Sequence, residues 1–384
     1  MNTTPIKSAC WAILLWGSRC FAAAILVVTI LPFIKSGSWA VRAWDFPRLQ
    51  LAALCLVAVL ALLACARRYG WRPDIWGLMI ALGLASAWQL SHFAPYTTIW
   101  PKSLADADSA DVTLLIANLD YLNPSPERAA EAISGFEVDA VLLIEIDREW
   151  AGMLAPVRSH FAYHAEEIKP DGHGIALWSN VPLEHPRIRY MVSDERPSIH
   201  TEMVVSPTKR ARFIGLHPPP PGLPADDGDS RYDSRIRDAE LVKVARLVAD
   251  NAEREWIVAG DFNDVAWSHT SRLFEDISGL EDPRVGRAML NTYHARRPLL
   301  RFPLDHVFVS PSFEIADLRR VRIPGSDHFG ILIGLRFGHG PGAAPDAKPG
   351  DHEEADKMIE EGAEDAEDKG EIAPEAAQDR RQSS

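Results

Sequence analysis

Apolar positions along this chain follow two regimes. From Trp11 to Phe33, Leu49 to Ala66 and Ile75 to Ala94 they run almost unbroken, each run close to the ~20 residues a helix needs to cross a bilayer. Beyond residue 110 they come instead in short bursts: Leu114-Leu115-Ile116-Ala117, Val141-Leu142-Leu143-Ile144, Phe213-Ile214-Gly215-Leu216, Trp256-Ile257-Val258-Ala259 and Leu304-Asp305-His306-Val307-Phe308-Val309. Bursts of this length, closed by turn formers, predict buried strands. Between them, 126–136 and 234–252 carry apolar residues at helical spacing, the second after an Asp233-Ser234 cap. Strands alternating with helices predict a layered α/β domain.

The three long runs predict a three-helix membrane anchor over residues 1–104. Tryptophans 11, 16, 39, 44, 71, 76 and 100 sit near their ends, as an interfacial belt requires. A signal peptide followed by a helical domain fits less well, because no A-x-A-like cleavage site follows the first run. Lys7, Arg67, Arg68 and Arg72 flank one side, Lys35, Arg42, Arg48 and Lys102 the other. Arg19, snorkelling towards Lys7, tips the balance to a cytoplasmic N-terminus. Three crossings then place the following domain outside the cytoplasm, on an inner-membrane multi-pass protein. Residues 103–111 are small, polar and acidic, a linker in this reading.

Candidate chemistry lies where the strand-like bursts end. Gly260-Asp261-Phe262-Asn263 follows one burst, Asn118, Glu145 and His217 follow three others, Asp305 opens a fifth, and Ser326-Asp327-His328 precedes the last. Each alone reads as a capping or turn residue. Together, at one end of successive strands, they predict a shared cleft.

In these motifs the chain resembles the endonuclease/exonuclease/phosphatase superfamily, over roughly residues 110–337. Gly172-His173-Gly174 and the strand after it are similar to a glycine-containing family segment, in which His173 reads as scaffold. The resemblance implies a four-layered α/β sandwich, two packed β-sheets flanked by helices, with the site at one edge. It also implies phosphoester hydrolysis, and a contact of His217 with phosphate or proton delivery to the leaving oxygen.

Such hydrolysis needs a held metal, an oriented water and groups that neutralise charge on the phosphoryl oxygens. Glu145 is the first candidate ligand, with Asn118 and Asp327 near the same ion or its waters. An oxygen-rich set suits Mg2+, with Mn2+ as an alternative. Asp261 would orient or deprotonate the water while the Asn263 amide donates to phosphate. An Asp305–His328 pair would stabilise developing charge. The exchange of roles, with His328 as base and Asp261 as support, fits the same residues.

Net charge is −13. The segment 338–384 contributes fourteen acidic against five basic residues with almost no large apolar ones, and is expected to be a disordered tail. The catalytic segment 105–337 is also net negative, which counts against broad duplex binding. Arg187, Arg189, Arg196, Arg210 and Arg212, or Arg296, Arg297 and Arg301, form local basic clusters that read equally well as solvated strand-face charge. The Pro/Gly/Asp-rich stretch 219–232 reads as a loop beside the cleft. Cys10, Cys20, Cys55 and Cys65 all precede residue 70, so thiol chemistry is absent from the catalytic segment. No GxxxxGK[ST] or HExxH pattern occurs.

A bilayer tether concentrates an enzyme on substrate confined there. The leading expectation is therefore a lipid-linked phosphate or diphosphate, or a phospholipid head group, with no obligate protein partner. The alternatives are a membrane-tethered nuclease and a non-catalytic membrane scaffold.

Overall fold

A computed structural model describes residues 4–222, 233–338 and 344–383. The chain divides into two compact units, Met1–Pro95 and Tyr96–Ser384. The segment 103–111 belongs to the second, where Ser103 donates to the Asp282 carbonyl and Arg287 to that of Leu104.

The first unit contains α1 (Thr4–Ile30), α2 (Trp39–Arg42), α3 (Arg48–Tyr69) and α4 (Pro73–Ser91). Small residues such as Ala22, Ala58 and Ala85 let the three long helices approach around Leu15, Ile25, Leu62 and Leu82. Ile13, Val27, Leu56, Leu60, Ile80 and Leu84 point outward. Two stretches, Ala9–Phe33 and Arg48–Tyr69, are long and apolar enough to cross a membrane. The expected third, α4, forms a helix but falls short. Asp74 lies in its first turn and Gln89 near its end, the latter bonded to Arg48 and Thr29.

The second unit is a sandwich of two mixed sheets. Strands β1 (Val112–Asn118), β2 (Ala140–Ile144), β3 (Tyr163–Glu167), β4 (Ile175–Ser179), β10 (Phe313–Arg322) and β11 (Phe329–Phe337) form one sheet, ordered β10-β11-β1-β2-β4-β3. Strands β5 (Leu183–Arg189), β6 (Ser198–Ser206), β7 (Lys209–Leu216), β8 (Trp256–Asp261) and β9 (Asp305–Val309) form the other in sequential order. Alternate residues of both, including Leu114, Ile116, Leu142, Phe213, Ile257, Val307 and Ile333, meet in the central core. The opposite faces are covered by helices. Leu115, Val141 and Trp178 pack under α5 (Pro126–Ser134), α6 (Arg148–Met153) and α7 (Ala155–Arg158). Ile214, Val258 and Phe308 pack under α8 (Arg235–Ala249) and α9 (His269–Ser278). The result is the four-layered α/β sandwich expected.

The acidic segment after residue 338 departs from expectation. It forms α10 (Asp351–Lys369) and α11 (Pro374–Ser383) rather than a disordered tail. Ala355, Met358 and Ile359 join the core beneath α8, and Ala366 packs on Ile236 and Ala239. A side chain at Gly362 would collide with Ala239 and the Arg235 carbonyl. Small residues at helical spacing thus bury a stripe that a search for large apolar residues misses. Its carboxylates meet cations: Asp356 pairs with Arg246, Asp379 with Lys243 and Glu375 with Arg189. Of the expected loop 219–232, residues 223–232 lie outside the described residues.

Candidate active site

Strand direction brings the polar residues together. β1 and β2 are parallel, with Asn118 opposite Ile144, and so release their chains at the same end. β7 and β8 are likewise parallel, with Leu216 opposite Gly260, which sets His217 beside Asp261. The antiparallel β9 begins there, Asp305 opposite Asp261. β11, antiparallel to β1, begins there too, just after His328. The glycine of the Gly260-Asp261 motif is required by close approach, since a Cβ there would collide with the Leu216 carbonyl. Glu145 and Asn263 adopt φ of 62° and 51°, a left-handed conformation that costs roughly 1–3 kcal/mol and clusters at functional sites.

Asn118 is the hub. Its amide nitrogen donates to Glu145 Oε1 at 2.9 Å and to Asp261 Oδ2 at 3.0 Å, while its oxygen accepts from the Asp120 N–H. Asn118 therefore meets Glu145 as a hydrogen-bond donor, with its amide oxygen turned away, where a metal-ligand role was expected. The Tyr121 N–H holds Glu145 Oε2 at 3.2 Å. His328 Nδ1 lies 2.7 Å from Asp305 Oδ2, and its Nε2 lies 3.6 Å from Asp261 Oδ2. His217 Nε2 is 3.9 Å from both Glu145 Oε1 and Asp261 Oδ2. Asp261 Oδ1 accepts from the Asn263 N–H, and the Asn263 amide donates to the Pro218 carbonyl. Asp327 is half-buried, its charge acting on Asp120, Tyr293 and His328. His173, read as scaffold, is close enough for the Arg196 charge to act on it.

Electrostatics separate the two histidines. Burial opposes charge on His328, but Asp305 and Asp261 outweigh it and raise its pKa to about 10. His217 is held well below its ordinary value by burial and then by Arg196. The Arg196 guanidinium donates to His217 Nδ1 at 3.2 Å, and arginine has no acceptor to offer. His217 is thus a neutral imidazole with its proton on Nε2, facing the carboxylates. That favours a hydrogen bond to phosphate over delivery of a proton. Burial and the Asp305 charge raise Asp261 to about 7, and burial also raises Glu145.

Several contributors escaped sequence reading. Arg196, which read equally well as part of a basic cluster or as solvated strand-face charge, is buried against His217. Ser326 accepts the His328 N–H and donates to the Asn118 carbonyl, tying β11 to β1. Buried Arg284 bonds the Asp305 carbonyl and His306 Nδ1, and His306 Nε2 reaches the Asp264 carbonyl. Only the S of the SDH motif was a signal; the arginines are far from the site in sequence.

The donor set fits a hard dication. Asp261 and Asp305 offer carboxylate oxygens within 4.8 Å of each other and of His328, and Glu145 adds a carboxylate bonded to the same Asn118 amide as Asp261. Asp305 Oδ1 is buried without a hydrogen-bond partner among the described residues. Carboxylates crowded this way repel one another, and a cation relieves that repulsion.

The sequence profile of the endonuclease/exonuclease/phosphatase family matches residues 115–328, which contain this constellation. The chain belongs to that family. It is accordingly a metal-dependent hydrolase of phosphoester bonds. No curated protein matches the sequence. Among solved structures, it is similar to an endonuclease/exonuclease/phosphatase from Beutenbergia cavernae, at 18% identity and TM-score 0.45 over 59% of this chain and 72% of that one. The human nocturnin catalytic domain is similar at 15% identity and TM-score 0.46, over 60% and 96%. Sphingomyelinase C from Streptomyces griseocarneus is similar at 15% and 0.41, over 58% and 98%.

Proposed function

We propose that this chain is a membrane-anchored phosphohydrolase acting with Mg2+ on a lipid-linked phosphate, diphosphate or phospholipid head group. The observation that carries the chemistry is the junction of Glu145, Asn118 and Asp261 between a neutral and a cationic histidine. Support for a lipid substrate comes from the two long apolar helices and from the fate of the first of the two basic clusters. Arg210 is paired with Glu184 and Glu202, Arg212 bonds Asn251, and Arg196 is buried in the site. Arginines occupied this way leave little to track a nucleic-acid backbone.

In this reading Asp261, raised into the neutral range, accepts the proton of the attacking water. His328 presents Nε2–H and positive charge to the phosphoryl oxygens, with Nδ1 held by Asp305. The His217 Nε2–H donates from the opposite side, and the Asn263 amide supplies its second hydrogen. Glu145 is the residue that would hold magnesium, with Asp327 serving its water shell and Asn118 fixing the Glu145 and Asp261 carboxylates. When bound, the ion supplies Lewis-acid polarisation of the phosphoryl group.

The test is a panel of polyprenyl diphosphate, phosphatidyl lipid, inositol phosphate and single-stranded DNA under one magnesium concentration, with Asp261→Ala as control. Faster turnover of a lipid substrate than of DNA is expected. DNA cleavage outpacing all lipids would replace the reading with a tethered nuclease. No hydrolysis with Mg2+ or Mn2+, and Asp261→Ala functioning normally in cells, would leave a scaffold.

A further inference from the structure

Two loops that leave the catalytic residues carry exposed leucines. Leu122 is 71% and Tyr121 44% exposed, in the turn after β1; Leu299 is 84% and Leu300 45% exposed, in the segment between Tyr293 and β9. Both loops belong to the site's rim. The Tyr121 N–H bonds Glu145 Oε2. The Ala295 N–H donates to the Asp327 carbonyl, next to His328, at 2.6 Å. They are also joined to each other, since Arg296 pairs with Asp120 at 3.2 Å.

Scattered exposed leucines need no explanation, but a cluster at the mouth of a polar site does. Leu299 and Leu300 follow directly on Arg296, Arg297 and Pro298, and all five residues are exposed. Apolar tips beside guanidinium groups, in a domain of net negative charge, match an anionic lipid interface: phosphate to the arginines, hydrocarbon to the leucines. A nucleic acid would use the cations and leave the leucines in water. The turn before Leu122 is itself pinned, because the Leu122 N–H bonds Asp120 Oδ1 and the Asp120 N–H bonds Asn118 Oδ1. The exposed Leu122 tip is therefore linked through Asp120 to the catalytic hub.

We infer that the rim formed by Leu122, Leu299 and Leu300 with Arg296 and Arg297 is a lipid-docking surface that engages an anionic bilayer face and admits a chain-bearing phosphate to the site. The substrate part of this inference rests on the function proposed above; the docking part does not. It is tested on the full-length protein in nanodiscs. Hydrogen exchange of 121–123 and 296–300 should be slower in phosphatidylglycerol than in phosphatidylcholine discs. In detergent micelles, Leu122→Ser and Leu299→Ser should each lower, by about tenfold, the ratio of kcat/KM for a long-chain polyprenyl diphosphate to that for water-soluble dimethylallyl diphosphate. Arg297→Gln should lower this ratio less, and should erase the exchange difference between the two lipids.

Equal exchange in both lipids, with unchanged ratios in all three variants, would overturn the surface. Protection in phosphatidylglycerol without hydrolysis of either diphosphate would uphold the surface and sink the proposed substrate. Binding of a protein partner would show as protection appearing only with that protein present and in neither lipid, and would equally overturn a lipid surface.

Discussion

His217 and His328 both face Asp261 Oδ2 from opposite sheets, yet they differ in charge. His328 has a carboxylate on each side, Asp305 at Nδ1 and Asp261 towards Nε2, and is held cationic. His217 has a guanidinium at Nδ1 and is held neutral. One residue type thus serves one pocket as a charge stabiliser on one flank and as an uncharged donor on the other. The difference resides in the partner at Nδ1. Asp305 comes from the strand opposite Asp261, and Arg196 from the segment before β6. Between the two flanks, Asp261 is left near neutrality and suited to proton transfer at physiological pH.

The largest effect should come from removing what both flanks address. Asp261→Asn is expected to lower kcat by about 10³- to 10⁴-fold, measured in single-turnover assays with unchanged folding by circular dichroism. Glu145→Gln acts on the His217 flank. In the wild-type protein Mg2+ should raise the stability to unfolding by about 2.7 kcal/mol at a hundredfold excess over Kd, and in Glu145→Gln most of this gain should vanish. Equal metal-induced shifts in melting temperature for the two proteins would show that another residue holds the ion.

Asp305→Asn breaks the cationic flank. It removes the largest influence raising His328, so the ring pKa should fall from about 10 towards its ordinary 6.5, as read by histidine ring NMR. The sign for stability follows. In metal-free wild type the contribution of charged His328 is complete below about pH 6.5 and is lost as pH climbs through about 10. In Asp305→Asn that alkaline loss should disappear, because the favourable contribution is already gone. A ring that still titrates near 10 would assign its charge to Asp261 alone.

Arg196→Met makes the opposite exchange. His217 should lose its Nε2–H bias and mix tautomers, visible in nitrogen chemical shifts, with turnover reduced about tenfold. The segment carrying Arg196 is held by the C-terminal strap, where the Asp194 N–H bonds the Glu371 carbonyl and the Ala373 N–H that of Val192. Gly362→Val, which wedges α10 away from α8, should therefore cost about 1–3 kcal/mol of stability and have the smallest effect on turnover, with any loss falling on the His217 flank. Calorimetry and the His217 tautomer would together check this.

Much of the site is legible in the sequence, because each of Asn118, Glu145, His217 and Asp261 ends or follows a short apolar strand, and such ends collect at one edge of a sheet. Arg196 and Arg284 are not legible there: each sits beside proline in a short stretch with carboxylates just before it, and nothing local distinguishes a buried guanidinium from a solvated one. The acidic C-terminal segment misleads for a related reason. Alanine and glycine at helical spacing register as neither apolar nor structured until α8 supplies the surface against which they fit. In α4 the discrepancy runs the other way, since the apolar run is plain in the sequence while the burial of Gln89, satisfied by Arg48 and Thr29, is not.

By itself, the order of residues determined the two regimes of hydrophobicity, the strands, and the identity of the groups able to bind a dication and phosphate. Those are properties of spacing and of side-chain chemistry. Only the tertiary structure decided which histidine is charged, which face of Asn118 meets Glu145, and which leucines stand at the mouth. Protonation, amide orientation and exposure depend on partners brought close from distant parts of the chain, and the field of a neighbouring charge in a buried pocket outweighs anything its sequence neighbours supply.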